Sequence, residues 1–291
     1  MQEPIIPPDC DDEYYVDYLF DLNGYLILKD AIAPEDVAAL NQWIDDHWEY
    51  VEQGAEQGTP ETAGQWIGNV ETHTYQGADG LNFQNVIEAG EVFEKLIDYP
   101  AWTDRIQRYV NPVNGLSIHE NLITVRGKGG YIGPHCGGHL SIIYMTFRQP
   151  NTGEWMVGQI NVFMALTDIG PGDGPTTLIP GSHKARFPHP VLSDEKISTV
   201  YRGDFPGGEA AGMKPLYMNA GDVAMFTDTI THGSLARENE GYRRNVLYRY
   251  SPLWIRSRFH YVPSEGLLDR LTEDRRKIIQ PIPPRMPSTT T

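Results

Sequence analysis

"AGDVAMFTDTITHGSLARENEGYRRNVLYRYSP", residues 220–252, decides how the rest of the chain reads. An apolar strand, Val223 to Phe226, runs through a short connection to His232, Gly233 and Ser234. A polar turn follows, and then a second strand led by Arg243 and Arg244. Side chains alternate across a strand, so one of these arginines faces solvent and the other faces the interior. An inward guanidinium without a partner is costly, so it implies a bound anion or an internal carboxylate.

The same texture extends back to residue 116. "LSIHENLITVRG", "LSIIYMTF", "GQINVFMAL", "TTLIP", "ISTVYRG" and "KPLYMNAGDVAMF" are short β-branched and aromatic runs separated by Gly/Pro turns. That spacing predicts an antiparallel sandwich or barrel rather than alternating βα units. The fold class is therefore mainly β with flanking helices, and a strand-rich core over 116–255 has the size of a jelly roll. Upstream, "GYLILKDAI" is an extended apolar run. "APEDVAALNQWIDDHW" has a Pro–Glu–Asp start with Val37, Leu40, Ile44 and Trp48 at helical spacing. A second amphipathic helix is expected across 89–109. The chain reads as a single domain over 1–291. It has a Pro/Asp-rich flexible arm at 1–12, a helical region with a lid loop at 13–115 and a C-terminal extension from 256 that ends in a tail at 281–291. The loop, 50–88, carries Trp66, Tyr75 and Phe83, which could wall a substrate or simply pack on the barrel.

Composition narrows the function classes. Among 291 residues, 23 are Lys or Arg and 39 are Asp or Glu, a formal charge of −16. A broad electrostatic surface for nucleic acid or anionic membrane is disfavoured, although a local basic pocket is compatible. Cys10 and Cys136 do not make a disulfide framework, no basic and apolar leader is visible, and no run is long enough to span a bilayer. These features predict a soluble cytoplasmic protein, and leave room for a local pocket that takes an anionic small molecule.

"GYIGPHCGGHLSIIY", residues 130–144, concentrates metal-seeking side chains. In an extended strand His135 and residue 137 share a face. A His-x-Asp pair there, with a distant His, would make the facial triad of non-haem iron enzymes, yet position 137 is Gly. His139 would lie roughly 13 Å along a regular strand, too far to share an ion unless Gly137–Gly138 turns. Cys136 points away and reads as packing. Alone, His135 reads first as structural, and His232 is evenly balanced. In "NVFMALTDIGPGDGPTTLIPGSHKARFPHP", residues 161–190, spacing assigns no chemistry, and His183 and Lys184 read as surface residues. Arg126 and Lys128 could meet an anionic substrate, although a solvated face is the commoner role.

Together, "FDLNGYLILKDAIAPEDVAALN", "VFMALTDIGPGDGPTTLIPGSHK" and residues 220–252 resemble the phytanoyl-CoA dioxygenase family of iron(II)/2-oxoglutarate oxygenases. The resemblance implies a double-stranded β-helix, a form of jelly roll, wrapped by N-terminal helices. It places His135 and His232 as iron(II) ligands, with Arg243 and Ser234 on the 2-oxoglutarate carboxylate and Arg244 as the rival one register away. It implies dioxygen as co-reactant, hydroxylation of an unactivated C–H, and release of succinate and CO2. Gly137 departs from the family's Asp or Glu. Water or another acid could fill the position; a halide could, as in related halogenases; or iron could bind too weakly for catalysis, leaving a binding protein.

Overall fold

The computed structural model describes residues 3–51, 64–74, 80–110, 115–136, 152–185, 189–192, 210–253 and 262–280. Two sheets form the body. In chain order the strands are β1 (Ile5–Ile6), β2 (Tyr25–Leu28), β3 (Trp66–Ile67), β4 (Val70–His73), β5 (Leu81–Gln84), β6 (Leu116–Arg126) and β7 (Ile132–His135). They continue with β8 (Ile160–Ala165), β9 (Thr176–Leu178), β10 (Lys214–Pro215), β11 (Val223–Thr227), β12 (His232–Ser234) and β13 (Arg243–Pro252). The larger sheet runs β1-β2-β11-β8-β13-β6-β5-β4-β3, and the smaller β10-β9-β12-β7. Apart from the parallel β1–β2 pair, the strands pair antiparallel. This is the predicted double-sheet architecture.

The two faces of the larger sheet are both buried, which is why its strands read as nearly continuous apolar runs. Alternation divides each strand between two clusters. Leu26, Val162, Met164, Val223, Met225, Val246 and Tyr248 point to the helical side. Tyr25, Ile27, Phe163, Ala165, Ala224, Phe226 and Leu247 point into the space between the sheets. Tyrosines on β13 fasten the outer layer: Tyr248 Oη donates to Phe93 O at 2.8 Å, and Tyr250 Oη to Leu96 O at 2.9 Å.

The outer layer begins with α1 (Glu13–Asn23), an element the spacing above does not assign. Asp12 caps it by accepting from Tyr15 N at 3.0 Å. Helix α2 (Pro34–Asp45) matches its prediction, starting at Pro34 and burying Leu40 and Ile44. The single helix expected over 89–109 is instead broken into short turns and two short helices, α3 (Glu91–Glu94) and α4 (Thr103–Tyr109). The break falls at Pro100, which disfavours a helical conformation at Tyr99, where the backbone is extended. Helices α5 (Glu265–Arg270) and α6 (Glu273–Ile279) follow the barrel, each with a Ser or Thr N-cap.

Other expectations need correction. Residues 5–6 of the supposed flexible arm form β1 along β2. The lid loop contributes β3, β4 and β5 to the larger sheet. Within it, Phe83 is buried under Trp43, with ring centroids 5.3 Å apart, because strand pairing with β6 turns it to the helical side. Trp66 lies exposed on the terminal strand. Tyr75, the runs "LSIIYMTF" and "ISTVYRG" and the tail 281–291 lie outside the described residues.

His183 is not a surface residue. It is buried, and its Nε2 lies 3.1 Å from Asp21 O, a bond in which the ring N–H donates. Burial, helped by the Lys184 charge, lowers its pKa to about 4. The unfolded chain therefore takes up this proton near pH 6.5 while the folded chain resists, so the stabilisation present above 6.5 is lost as pH falls towards 4. The loss is at most roughly 3 kcal/mol. Urea titrations of the wild type and His183→Gln across that window should show a flatter pH dependence in the variant.

Gly24 terminates α1 with φ +81°, a left-handed conformation suited to glycine. A Cβ there would collide with the His183 ring. Gly24→Ala is expected to cost roughly 2 to 4 kcal/mol through backbone strain and overpacking, measurable by denaturant unfolding.

Candidate active site

Antiparallel pairing of β7 with β12 puts His135 directly opposite His232, although ninety-seven positions of sequence separate them. Their ring centroids are 4.0 Å apart and their planes meet at 53°. Each imidazole is oriented by a backbone carbonyl two residues upstream. Nδ1 of His135 lies 3.0 Å from Gly133 O, and Nδ1 of His232 lies 2.8 Å from Ile230 O. A carbonyl only accepts, so Nδ1 carries the hydrogen and Nε2 keeps its lone pair. Desolvation lowers both pKa values, and for His135 the neighbouring His232 charge adds to the effect. Both rings are consequently neutral near pH 7, the form in which imidazole ligates a metal.

The two histidines line a cleft between the sheets. Its farther wall is set by the parity of β13. Arg243, Asn245, Leu247 and Arg249 face the cleft, whereas Val246 and Tyr248 face the helices. Arg244 is thereby turned outward, where its Nη2 meets Asp45 Oδ1 at 2.6 Å and its guanidinium lies over Trp48. The two-way choice between adjacent arginines is resolved in favour of Arg243 as the inward one.

Arg243 is buried, with Nη1 donating to Gly174 O. Among the described residues it has no ion pair with an acid, and its Nε has no protein partner. Burial and the nearby charges of Arg126 and Arg237 depress its pKa well below the ordinary arginine value. Arg237 has its own acid, Asp173, at 3.1 Å. A desolvated guanidinium among other cations fits a carboxylate ligand. Ser234 supports that fit. Its Oγ accepts from Arg126 Nη1 at 2.9 Å and from Ile132 N at 2.8 Å, so both lone pairs are used and its own hydrogen is left to donate elsewhere.

Arg126 is thus a buried site residue rather than part of a solvated face, while Lys128 is exposed and paired with Glu240 at 2.5 Å. The sequence reading also missed Thr124, Asn161, Asn245 and Arg249, all of which line the cleft. A signal was available: these are polar residues at inward positions of otherwise apolar strands. Arg249 Nη1 pairs with buried Glu120 at 2.6 Å, and Asn161 Nδ2 donates to Asp228 Oδ1 at 3.2 Å. Cys136 is buried and free, as is the partly buried Cys10 free, so the two do not bridge. Burial pushes the Cys136 thiol up to about 12, consistent with packing rather than nucleophilic chemistry.

Among the described residues, no group of three His, Cys, Asp or Glu side chains converges to hold a metal. Gly137 and His139 lie outside the described residues. The donor set in view is therefore two imidazoles, which suit a borderline metal and leave other coordination positions to be filled.

Acidic residues of the middle segment and of the start of the 220–252 stretch act as turn staples. Asp222 accepts from Asn219 N at 2.7 Å and Asp30 N at 3.0 Å and pairs with Lys29. Asp168 accepts from Ala220 N at 2.9 Å, and Asp173 from Gly170 N at 3.0 Å. They fix the loops that carry the strands to the cleft without entering it.

A jelly roll whose smaller sheet presents two facing histidines, across a cleft from an inward arginine, has the architecture of the cupin-like oxygenases. The sequence pattern of the phytanoyl-CoA dioxygenase (PhyH) family matches residues 20–245, and the chain belongs to that family. It is 22% identical over 242 residues to a probable phytanoyl-CoA dioxygenase of Caenorhabditis elegans, covering 80% of this chain and 73% of that protein. It is 30% identical over 119 residues to the dioxygenase cdmD of Talaromyces verruculosus, covering 41% of this chain and only 31% of the relative. In three dimensions it is similar to HygX of Streptomyces hygroscopicus, crystallised with nickel and 2-oxoglutarate. The TM-score is 0.63 at 19% identity, covering 84% of this chain and 88% of HygX, a likeness of fold. No helix among the described residues is long and apolar enough to cross a membrane.

Proposed function

We propose that this protein is an iron(II)- and 2-oxoglutarate-dependent dioxygenase that hydroxylates an unactivated C–H bond of a small organic substrate. The observation that carries this reading is the opposition, across one cleft, of two neutral, carbonyl-oriented imidazoles and a buried arginine that has no acid partner among the described residues. His135 and His232 would hold the metal through Nε2. Arg243 and the Ser234 hydroxyl would hold the far carboxylate of the keto-acid. Bound iron with its keto-acid supplies activation of dioxygen and oxidation of the C–H bond, with succinate and CO2 as coproducts. The protein's share is orientation: Gly133 O and Ile230 O fix the ring tautomers, and Arg126 fixes the Ser234 hydroxyl. Phe163, Phe226 and Leu247 restrict water in the cleft. HygX has also been crystallised with nickel, 2-oxoglutarate and hygromycin B, which supports a small molecule as the substrate class.

A second reading rests on Gly137, which brings no carboxylate to the metal. A halide in that position would redirect the product from hydroxylation to chlorination. Mass analysis of product formed with and without chloride separates the two, and a product indifferent to chloride eliminates halogenation. The third possibility, a binding protein without catalysis, is tested by anaerobic titration with Fe(II) and 2-oxoglutarate. A weak visible charge-transfer band and succinate release on admission of oxygen are expected, and absence of both would overturn the enzyme reading.

A further inference from the structure

The cleft contains more hydrogen-bonding capacity than the protein itself uses. Thr124 on β6 and Asn245 on β13 are cross-strand neighbours on the inward face. Both are more than nine-tenths buried. Among the described residues, Thr124 Oγ1, Asn245 Nδ2 and Asn245 Oδ1 have no hydrogen-bond partner. Leaving such atoms buried and unsatisfied destabilises a fold, so their presence together in one cleft points to a polar occupant there. Asn245 lies one inward step along β13 from Arg243, in the direction of Arg249, whose charge acts on both histidines, and Thr124 stands one inward step along β6 from Arg126.

The donor count gives the chemistry. A carboxylate offers about four acceptor sites. Arg243 Nη1 is already committed to Gly174 O, which leaves its Nε edge for the ligand. That edge and the Ser234 hydrogen do not exhaust the acceptor sites. The Thr124 hydroxyl and the Asn245 amide supply the missing donors from the side facing the histidines.

We propose that Thr124 and Asn245 complete the carboxylate end of the cosubstrate site and make the cleft select a keto-diacid over a keto-monoacid. This rests on the cosubstrate reading above and extends it to two residues beyond Arg243 and Ser234. A keto-monoacid that reached the histidines would leave Thr124, Asn245 and Arg243 desolvated and unmatched. A five-carbon keto-diacid would engage all three.

The test is ligand-induced thermal stabilisation of the metal-free protein, with 2-oxoglutarate and pyruvate as probes, so no turnover enters the readout. Thr124→Val and Asn245→Leu are each expected to weaken 2-oxoglutarate binding roughly tenfold or more, as loss of a hydrogen bond to a charged group does. Their unliganded melting temperatures should hold or rise, because each removes an unsatisfied polar atom. Asn245→Asp keeps the shape and places an acid against the diacid, so it should abolish binding. Unchanged 2-oxoglutarate affinity in these variants would mean that ordered water satisfies the atoms, and would overturn the proposal, as would wild-type binding by Asn245→Asp. Arg243→Met separates the two levels. If it loses 2-oxoglutarate while the other variants keep it, only the present inference fails. If it too binds normally, the cosubstrate reading fails with it.

Discussion

His232→Ala is expected to remove ferrous ion binding, lowering affinity by at least about 100-fold, the upper end of what even outer-sphere changes cost. The size follows from the donor set: among the described residues the two imidazoles are not joined by a third histidine, cysteine or acid in a metal-holding group. The neighbouring ring, 4.0 Å away, cannot substitute because its Nδ1 is committed to Gly133 O. Fold stability should change far less than metal affinity, since the deleted ring gives up one bond to Ile230 O and some contact with Phe226. Anaerobic Fe(II) titration by equilibrium dialysis measures the effect. His183→Gln, equally a buried histidine, serves as the control and should bind iron like the wild type. Retention of metal by His232→Ala would remove the β7–β12 pair from consideration as a metal centre.

Arg243→Met should have the second-largest effect, and its sign distinguishes function from structure. The methionine fills much the same volume, so packing against Phe163 is largely kept. Affinity for 2-oxoglutarate should fall by roughly 100-fold, in line with the ~3 kcal/mol or more associated with stripping one partner from a buried charged pair. Unliganded stability should stay level or increase, because a desolvated guanidinium without an acid is removed. Iron binding should be unaffected. Arg243→Lys should rescue only in part, since an ammonium lacks the planar fork. A purely structural Arg243 would show the reverse: lower unliganded stability and unchanged keto-acid affinity. Arg244→Ala, by contrast, deletes an ion pair to half-exposed Asp45 and should alter neither ligand.

The strands of the core were legible as short β-branched and aromatic runs set between Gly/Pro turns, and Leu40 and Ile44 marked α2 by their spacing. The helix expected over 89–109 failed because amphipathic spacing alone does not register the extended backbone that Pro100 imposes on Tyr99. His183 was misread because a Pro-Gly-Ser turn suggests exposure, whereas here the turn seats the ring over Gly24. Phe83 looked available to a substrate until pairing of β5 with β6 turned it to the helical side.

Alternation along β13 sufficed to make one arginine of the pair inward, and residue chemistry alone required that inward arginine to meet an anion. The missing carboxylate at Gly137 is likewise a property of the sequence. Only tertiary structure decided which arginine it is, since the outer face of β13 is defined by Tyr248 and Tyr250 reaching the Phe93, Leu96 and Ile97 carbonyls. It also decided that His135 and His232 face each other and that Thr124 and Asn245, in the same cleft, are left without partners among the described residues. Those facts depend on register between strands distant in the chain, and register is set by the packing of the whole sheet rather than by any local run of residues.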